Sequence, residues 1–461
     1  MDGETEGTRT LLGDQRKGIV ALAIPIGIAL FFQQLNNIVD SLWVSALGGT
    51  ALAALGVVYP VYTILIGIGN GLGIGVSAAI ARSIGRGSRE DANASAAQGV
   101  TIAAIVSIIL TPFLMVTAES SMGIMGAGSM VQECLDYAYP IYISCFFIIL
   151  SGVMSGMLRG EGAARKSMAI QVAGAVVNII LDPIFIYTLD MGVAGAAWAT
   201  VIAFIVSCAM ASYWYLRSRD LFVHITRRDY RPDRRTCKEI MSVGGPEALE
   251  LSIMYLFNIT LNYVVIGCGG TDAVGLYSTG WRIANFILII AQAMGGALVA
   301  VCSAEYGMRR FDMIRDAFRF TVVSSIAWTL LFSVLLALGS GLVAGVFTSS
   351  DDLQYMHGAM QEMLLYFAIF LPIMSMVYTG SALLQAIKHA GGAMMNSLTR
   401  NILLNIGFFS MAAVFGTLTS LWWAMTVAEI VGGLMMGIHA WIMLRRVSAR
   451  EESAPPASPQ S

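Results

Sequence analysis

The sequence predicts an all-α, polytopic membrane protein with twelve membrane-spanning helices in two six-helix lobes, related by a pseudo-twofold axis along the membrane normal. Three observations predict it. The chain of 461 residues is 57% hydrophobic and only 12% charged, where a soluble domain carries roughly 25% charged residues. Its apolar residues fall into twelve runs, each long enough to cross a bilayer. The lysines and arginines between those runs collect on alternate loops, as the positive-inside rule requires.

Residues 1–17 are polar and mixed in charge, which predicts a disordered cytoplasmic tail. The first apolar run, 18–46, is too long for the core of a signal peptide and is kept as a helix. Pro25 within it removes a hydrogen bond and crowds the preceding turn, which predicts a kink. Runs at 51–81, 93–117, 131–157, 167–189 and 192–216 complete a first lobe, 18–216. A basic connector, 217–240, reads as a solvated cytoplasmic link. Runs at 241–267, 274–304, 318–347, 355–386, 393–416 and 419–444 form a second lobe, 241–444. Residues 445–461, charged and then rich in Pro and Ser, predict a disordered cytoplasmic tail. With the amino terminus inside, 26 of the 27 basic residues fall on inner segments, Arg400 counted among them and Arg282 the exception. Glu119, Glu133, Asp190, Asp272, Asp351 and Asp352 fall outside. A wrong helix count would invert half of these loops, so both termini are placed in the cytoplasm.

The halves repeat. Pro25 and Gly48-Gly49-Thr50 recur as Pro246 and Gly269-Gly270-Thr271, Gly85 recurs as Gly307, and Asn178 falls opposite Asn405. Six spans per half give both lobes one orientation, with a cavity expected between them.

Polar groups inside apolar runs are costly and normally face a cavity. Asn178 and Asp182 are four apart, hence on one helix face. Asp40 and Asp182 each lie eight residues before an outer turn, and Thr200 lies eight after one. At ~1.5 Å per residue, all three sit about 12 Å below the outer surface. Asp40, Asn178, Asp182 and Thr200 are therefore the candidate cation site, although Thr200 alone would read as an interhelical hydrogen-bonding group. Gln34, Tyr137, Tyr139 and Ser155 are candidate lining residues; the two tyrosines read equally well as interfacial aromatics. The positions opposite Asp40 and Asp182 are Leu261 and Phe409, so the site is asymmetric. Glu250 is a further candidate for the cavity, and Glu429, near mid-membrane, requires a partner.

Other signals read as packing. The six cysteines and four histidines show no metal-ligand spacing. The 27 methionines fill gaps in an apolar core or line an adaptable cavity. Gly67-x-Gly69-x-Gly71-x-Gly73-x-Gly75 follows no strand and serves close helix packing rather than a nucleotide. No Walker motif is present, and basic residues are too few for nucleic-acid binding.

On Pro25, Asp40 before Gly48-Gly49, the Leu158-Arg159-Gly160-Glu161-Gly162 turn, and Asn178…Asp182-Pro183 followed by Thr200, the chain resembles the multidrug and toxic compound extrusion (MATE) family, in its archaeal and DinF-like branch. The resemblance spans roughly residues 15–446. It implies export of organic, mostly cationic or amphipathic compounds, driven by sodium or proton entry. It also implies a cation site at Asp40, Asn178, Asp182 and Thr200, and bending at Pro25. Departures are Ser155, where members often carry asparagine, and Met254 and Met374, near the places where another branch has acids.

The expectation is an antiporter of the plasma membrane that works by alternating access as a monomer. Its partners are small organic substrates, a coupling cation and the bilayer, without a cofactor and without nucleic acid. Two close carboxylates cannot both stay ionised at low cost; Na⁺ or H⁺ would relieve them, and the same oxygens suit either. A lipid-precursor flippase is the alternative, disfavoured by the scarcity of mid-membrane arginines and lysines. A membrane hydrolase built on an aspartyl dyad is a third reading, disfavoured by the repeat.

Overall fold

The structure, a computed structural model, describes residues 5–125, 128–218, 220–348 and 351–452. It divides into two compact units, Met1–Asn258 and Ile259–Ser461.

The first unit holds α1 (Glu6–Leu12), α2 (Gln15–Ser45), α3 (Gly49–Gly85), α4 (Arg89–Ile124), α5 (Val131–Ile143), α6 (Cys145–Gly160), α7 (Ala164–Pro183) and α8 (Gly192–Arg217). It also takes the first part of α9 (Arg234–Gly307), a helix broken at Gly270 into α9a (Arg234–Gly270) and α9b (Asp272–Gly307). The second unit holds the rest of α9, α10 (Phe311–Phe347), α11 (His357–Ala386), α12 (Ala390–Val414) and α13 (Leu418–Glu452). Ten of these segments are long and apolar enough to cross a bilayer, and α5 with α6, bent by 52°, makes an eleventh. The bend follows Pro140, which has no N–H to donate to the preceding turn. The twelfth is α12, 25 residues long but carrying Asn396, Arg400, Asn401 and Asn405. By contrast α2 runs unbroken through Pro25.

Glycine decides how α3 packs. A Cβ on Gly69 or Gly73 would strike the α6 backbone at Ile149 or Gly152, and one on Gly156 would lie 2.1 Å from the Gly73 carbonyl. On the other side, Gly71 and Gly75 press against Ala248, Ile240 and Gly244 of α9a. Period-two spacing thus yields two rows, each of period four, about 200° apart on one helix. The second row holds the start of α9a in the first unit, helped by a 2.8 Å ion pair between fully buried Arg82 and Glu239. The unit boundary accordingly falls inside α9a at Asn258 rather than in the connector.

The repeat is visible in the turns. Gly48 (φ 109°) and Gly270 (φ 76°) share one left-handed conformation at equivalent helix starts. Their spacing is 222 against 221 for the two prolines, so one residue has been inserted between. Helices α3, α6, α9b and α11 all end in a left-handed residue followed by a six-to-one hydrogen bond, as in Ser88 N–H to the Ser83 carbonyl and His389 N–H to that of Leu384. The left-handed residue is Gly87 or Gly162 in the first unit, Arg309 or Lys388 in the second.

Three expectations of disorder or solvation are corrected. Residues 5–14 are ordered: α1 is closed by a Thr5–Thr8 capping box, and Gly7 packs against Gly162. Only residues 1–4 of that tail lie outside the described residues. At the other end, α13 continues to Glu452, and 453–461 lie outside them. The connector is docked on the first unit. Arg89 donates to the Phe222 carbonyl, Gln98 to those of Asp229 and Arg231, and Asn93 accepts from His224 N–H. Buried Glu161 accepts from the Phe222 and Val223 N–H groups and from Tyr215. Side-chain acceptors for peptide N–H groups let the connector lie against protein.

Two outcomes are expected. Gly156→Ala lowers the thermal midpoint by the equivalent of about 1–3 kcal/mol of overpacking, whereas Gly123→Ala, with nothing within 4 Å, leaves it unchanged. Burial pushes the Glu161 carboxyl up to about 7, against the pull of its donors. The folded carboxyl then keeps its proton to a higher pH than the unfolded one, so its contribution to stability falls as pH rises from about 4.5 to 7. Thermal midpoints of the natural protein and Glu161→Gln, compared at pH 5 and pH 8, should diverge in that direction.

Candidate functional site

The site is assembled by α2, α7 and α8. Helix α2 packs on α7, and α7 on α8. Helix α7 ends at Asp182-Pro183 and opens into a π-turn, Ile184–Thr188. Such widened turns displace the residues beside them and are frequent at functional sites. The Tyr187 hydroxyl donates to the Trp43 carbonyl at 2.5 Å, fastening this turn to the end of α2.

Asn178 donates from Nδ2 to Asp182 Oδ1 at 3.0 Å and to Thr200 Oγ1 at 3.4 Å. The Thr200 hydroxyl in turn donates to the Ala196 carbonyl. Asn178, Asp182 and Thr200 are 2%, 0% and 6% exposed. Asp40 approaches from α2, its carboxyl beside that of Asp182. Asp40 Oδ1 and Asp182 Oδ2 are enclosed and have no hydrogen-bond donor among the described residues. The four residues chosen from the sequence therefore meet at one place, with more acceptors than donors.

The lining residues separate. Tyr137, buried on α5, lies near both carboxylates. Tyr139 is two residues further on, about 200° around the helix, and is half-buried. Ser155 is elsewhere: its hydroxyl meets Ser167 at 2.8 Å and Gln171 at 3.1 Å. Gln171 is about 10 Å along α7 from Asn178. Gln34 accepts from Asn37 on another face of α2. The side chain that stands one turn below Asp40 is Asn36, whose Oδ1 is enclosed without a donor among the described residues. Tyr62 of α3 also lies near both acids. Asn36 could have been found by the i, i+4 rule that linked Asn178 with Asp182; Tyr62 carried no such signal.

The second unit is built otherwise. Asn405, opposite Asn178, pairs with Thr260 at 2.5 Å. Thr426 bonds to the carbonyl four residues before it, as Thr200 does. One turn away, Arg400 and Glu429 form a 3.0 Å ion pair, 9% and 2% exposed. Gly432 makes room for it, since a Cβ there would strike Arg400 Cγ at 2.3 Å. Arg400 is therefore a buried residue within α12 rather than a loop residue, and it is the partner that Glu429 requires.

The MatE family model matches residues 25–184 and 246–410. Multidrug export protein MepA of Staphylococcus aureus is 24% identical over 439 residues, covering 94% of this chain and 95% of that protein. A crystal structure of MATE in complex with MaL6 superposes with a TM-score of 0.93 at 31% identity, covering 97% of this chain and all of that one. A MOP superfamily transporter from Pyrococcus furiosus, described for a binding pocket of reverse polarity that suggests a different function, gives 0.92 at 31% identity, covering 96% and 99%. The fold and family define a multi-pass membrane transporter and not an enzyme. The chain belongs to the MatE family.

The acceptor excess makes a stability prediction. Asn178→Ala removes the donor to Asp182 and lowers the thermal midpoint by the equivalent of about 1–3 kcal/mol. Asp182→Asn leaves the midpoint unchanged or raises it, because the new amide can accept from Asn178 and donate to Asp40 while one of two like charges is removed.

Proposed function

We propose that this protein exports organic, mostly cationic or amphipathic compounds across the plasma membrane by alternating access, in exchange for inward movement of Na⁺ or H⁺. Export of several drugs is the activity named for its relative MepA. The observation that carries the coupling is the pair of enclosed, donor-free carboxylate oxygens on Asp40 and Asp182.

Charge explains how the pair would work. Two carboxylates side by side in a poorly solvated place repel each other, and one monovalent cation or proton offsets that repulsion. Na⁺ is a hard ion that takes oxygen ligands, and Asp40, Asp182, Thr200 and the Asn178 carbonyl supply them. A proton on either carboxyl would instead be shared with the other. The acids stand on α2 and α7, so an ion that joins them changes how firmly α2 is held. A ligand that binds one arrangement better shifts the population toward it. Pro25 leaves the Ala21 carbonyl without its usual donor, which makes α2 easiest to bend there. An inward-negative potential would add ~2.3 kcal/mol per charge per 100 mV to ion entry. In this reading the protein acts as a monomer, with both termini in the cytoplasm and the arginine-rich turns on that side.

The test is efflux of a fluorescent cation from vesicles containing purified protein, with sodium and pH gradients imposed separately. One gradient should drive efflux, and Asp40→Asn or Asp182→Asn should slow it at least tenfold, the scale of ~1.4 kcal/mol of diminished coupling. Gradient-driven efflux undiminished in both variants would remove the carboxylates from the mechanism.

A further inference from the structure

At the arginine-rich end of the second unit, a cavity of about 360 Å³ is lined by Arg315 of α10 and by Trp441, Arg445, Ser448 and Ala449 of α13. Its walls are held by aromatic contacts. The Phe318 ring stacks on Trp441 at 6.5 Å, and the Arg445 guanidinium lies over the Trp441 ring, 5.2 Å from its centroid. A guanidinium over an indole is fixed in orientation while its N–H edge stays available. Arg315 faces the same space and gives one nitrogen to Asp312 at 3.4 Å.

We propose that this cavity binds the phosphate of an anionic phospholipid headgroup. Two arginines presented to one space match the paired oxygens of a phosphodiester, and basic pockets between transmembrane helices at the bilayer surface suit such headgroups. Arg319 and Arg446 add positive charge on the same helix ends; Asp312 and Asp316 oppose it, and Glu451-Glu452 follow in sequence. A lipid fits better than a free oxyanion because the site joins a polar end to an apolar flank. Trp441 belongs to the aromatic class that sits at headgroup level. On the same helix, Ile438 and Ile442 are 57% and 41% exposed, an apolar surface against which acyl chains can lie. The lipid is a bound component rather than cargo, so the proposal stands apart from the transport reading.

The experiment uses the full chain, purified in a neutral detergent and titrated with phosphatidylglycerol, phosphatidylcholine or inorganic phosphate. Thermal unfolding and native mass spectrometry are the readouts. Phosphatidylglycerol should raise the midpoint and remain bound as a discrete adduct, and the other two should not. Arg315→Gln/Arg445→Gln should weaken the response about thirtyfold, because both guanidinium groups that face the phosphate are gone. Arg319→Gln/Arg446→Gln removes equal charge outside the cavity and should keep it within about threefold, because salt screens charges that do not touch the phosphate. Should the first variant not be recoverable, Arg315→Lys/Arg445→Lys keeps the charge without the planar fork and should still weaken binding at least ~threefold. An equal response to phosphatidylcholine, an equal response to inorganic phosphate, equal weakening in the two glutamine variants, or undiminished binding in the lysine variant would each overturn the proposal.

Discussion

A carboxylate within a bilayer has no bulk water to fall back on, so its neighbours must answer for its charge. The first unit answers only in part. Asp40 and Asp182 stand together, and Asn178, which donates to Asp182, divides its amide between that carboxylate and Thr200. Much of the surrounding structure follows from holding that incomplete arrangement in place: the π-turn after Asp182, the Tyr187 bond to the end of α2, and the buried tyrosine near both acids. The second unit, on the same plan, pairs the corresponding groups with one another. Thr260 meets Asn405, and Arg400 meets Glu429. One repeat retains a demand for positive charge; at the matching place the other has set a base against its acid.

The contrast shows how a duplicated scaffold can diverge without changing fold. Helix starts at Gly48 and Gly270 and the left-handed turns are common to both halves. Yet where the first unit uses glycine in those turns, at Gly87 and Gly162, the second uses Arg309 and Lys388. A non-glycine residue there costs about 1–2 kcal/mol. Backbone geometry has been kept while side-chain chemistry has been exchanged.

Much of this is legible in the sequence. Hydropathy and loop charge give the helices, because a bilayer imposes one length and one sidedness on every span. Asn178 and Asp182 are legible because helical periodicity converts spacing into proximity. Asn36 obeys the same rule with Asp40, whereas Gln34, the residue the sequence reading favours, lies on a different face. Arg400 is misplaced for a clear reason: a charge close to the start of an apolar run reads as a boundary, and only the position of Glu429 on the neighbouring helix explains it. The order of α1 and of the connector is illegible, since composition does not record that Glu161 accepts from peptide groups some sixty residues later.

That clasp at Glu161 has a bearing on how the first half could be handled by itself. Gly7 of α1 rests on the turn that contains it, 222–231 are gripped by it and by α4, and 240–251 lie along the glycines of α3. A fragment cut at the ends of the hydropathy plot, 18–216, would be stripped of all three and left with raw peptide edges and an unmated glycine groove. A fragment that keeps all three begins at about Thr5 and ends at about Asn258.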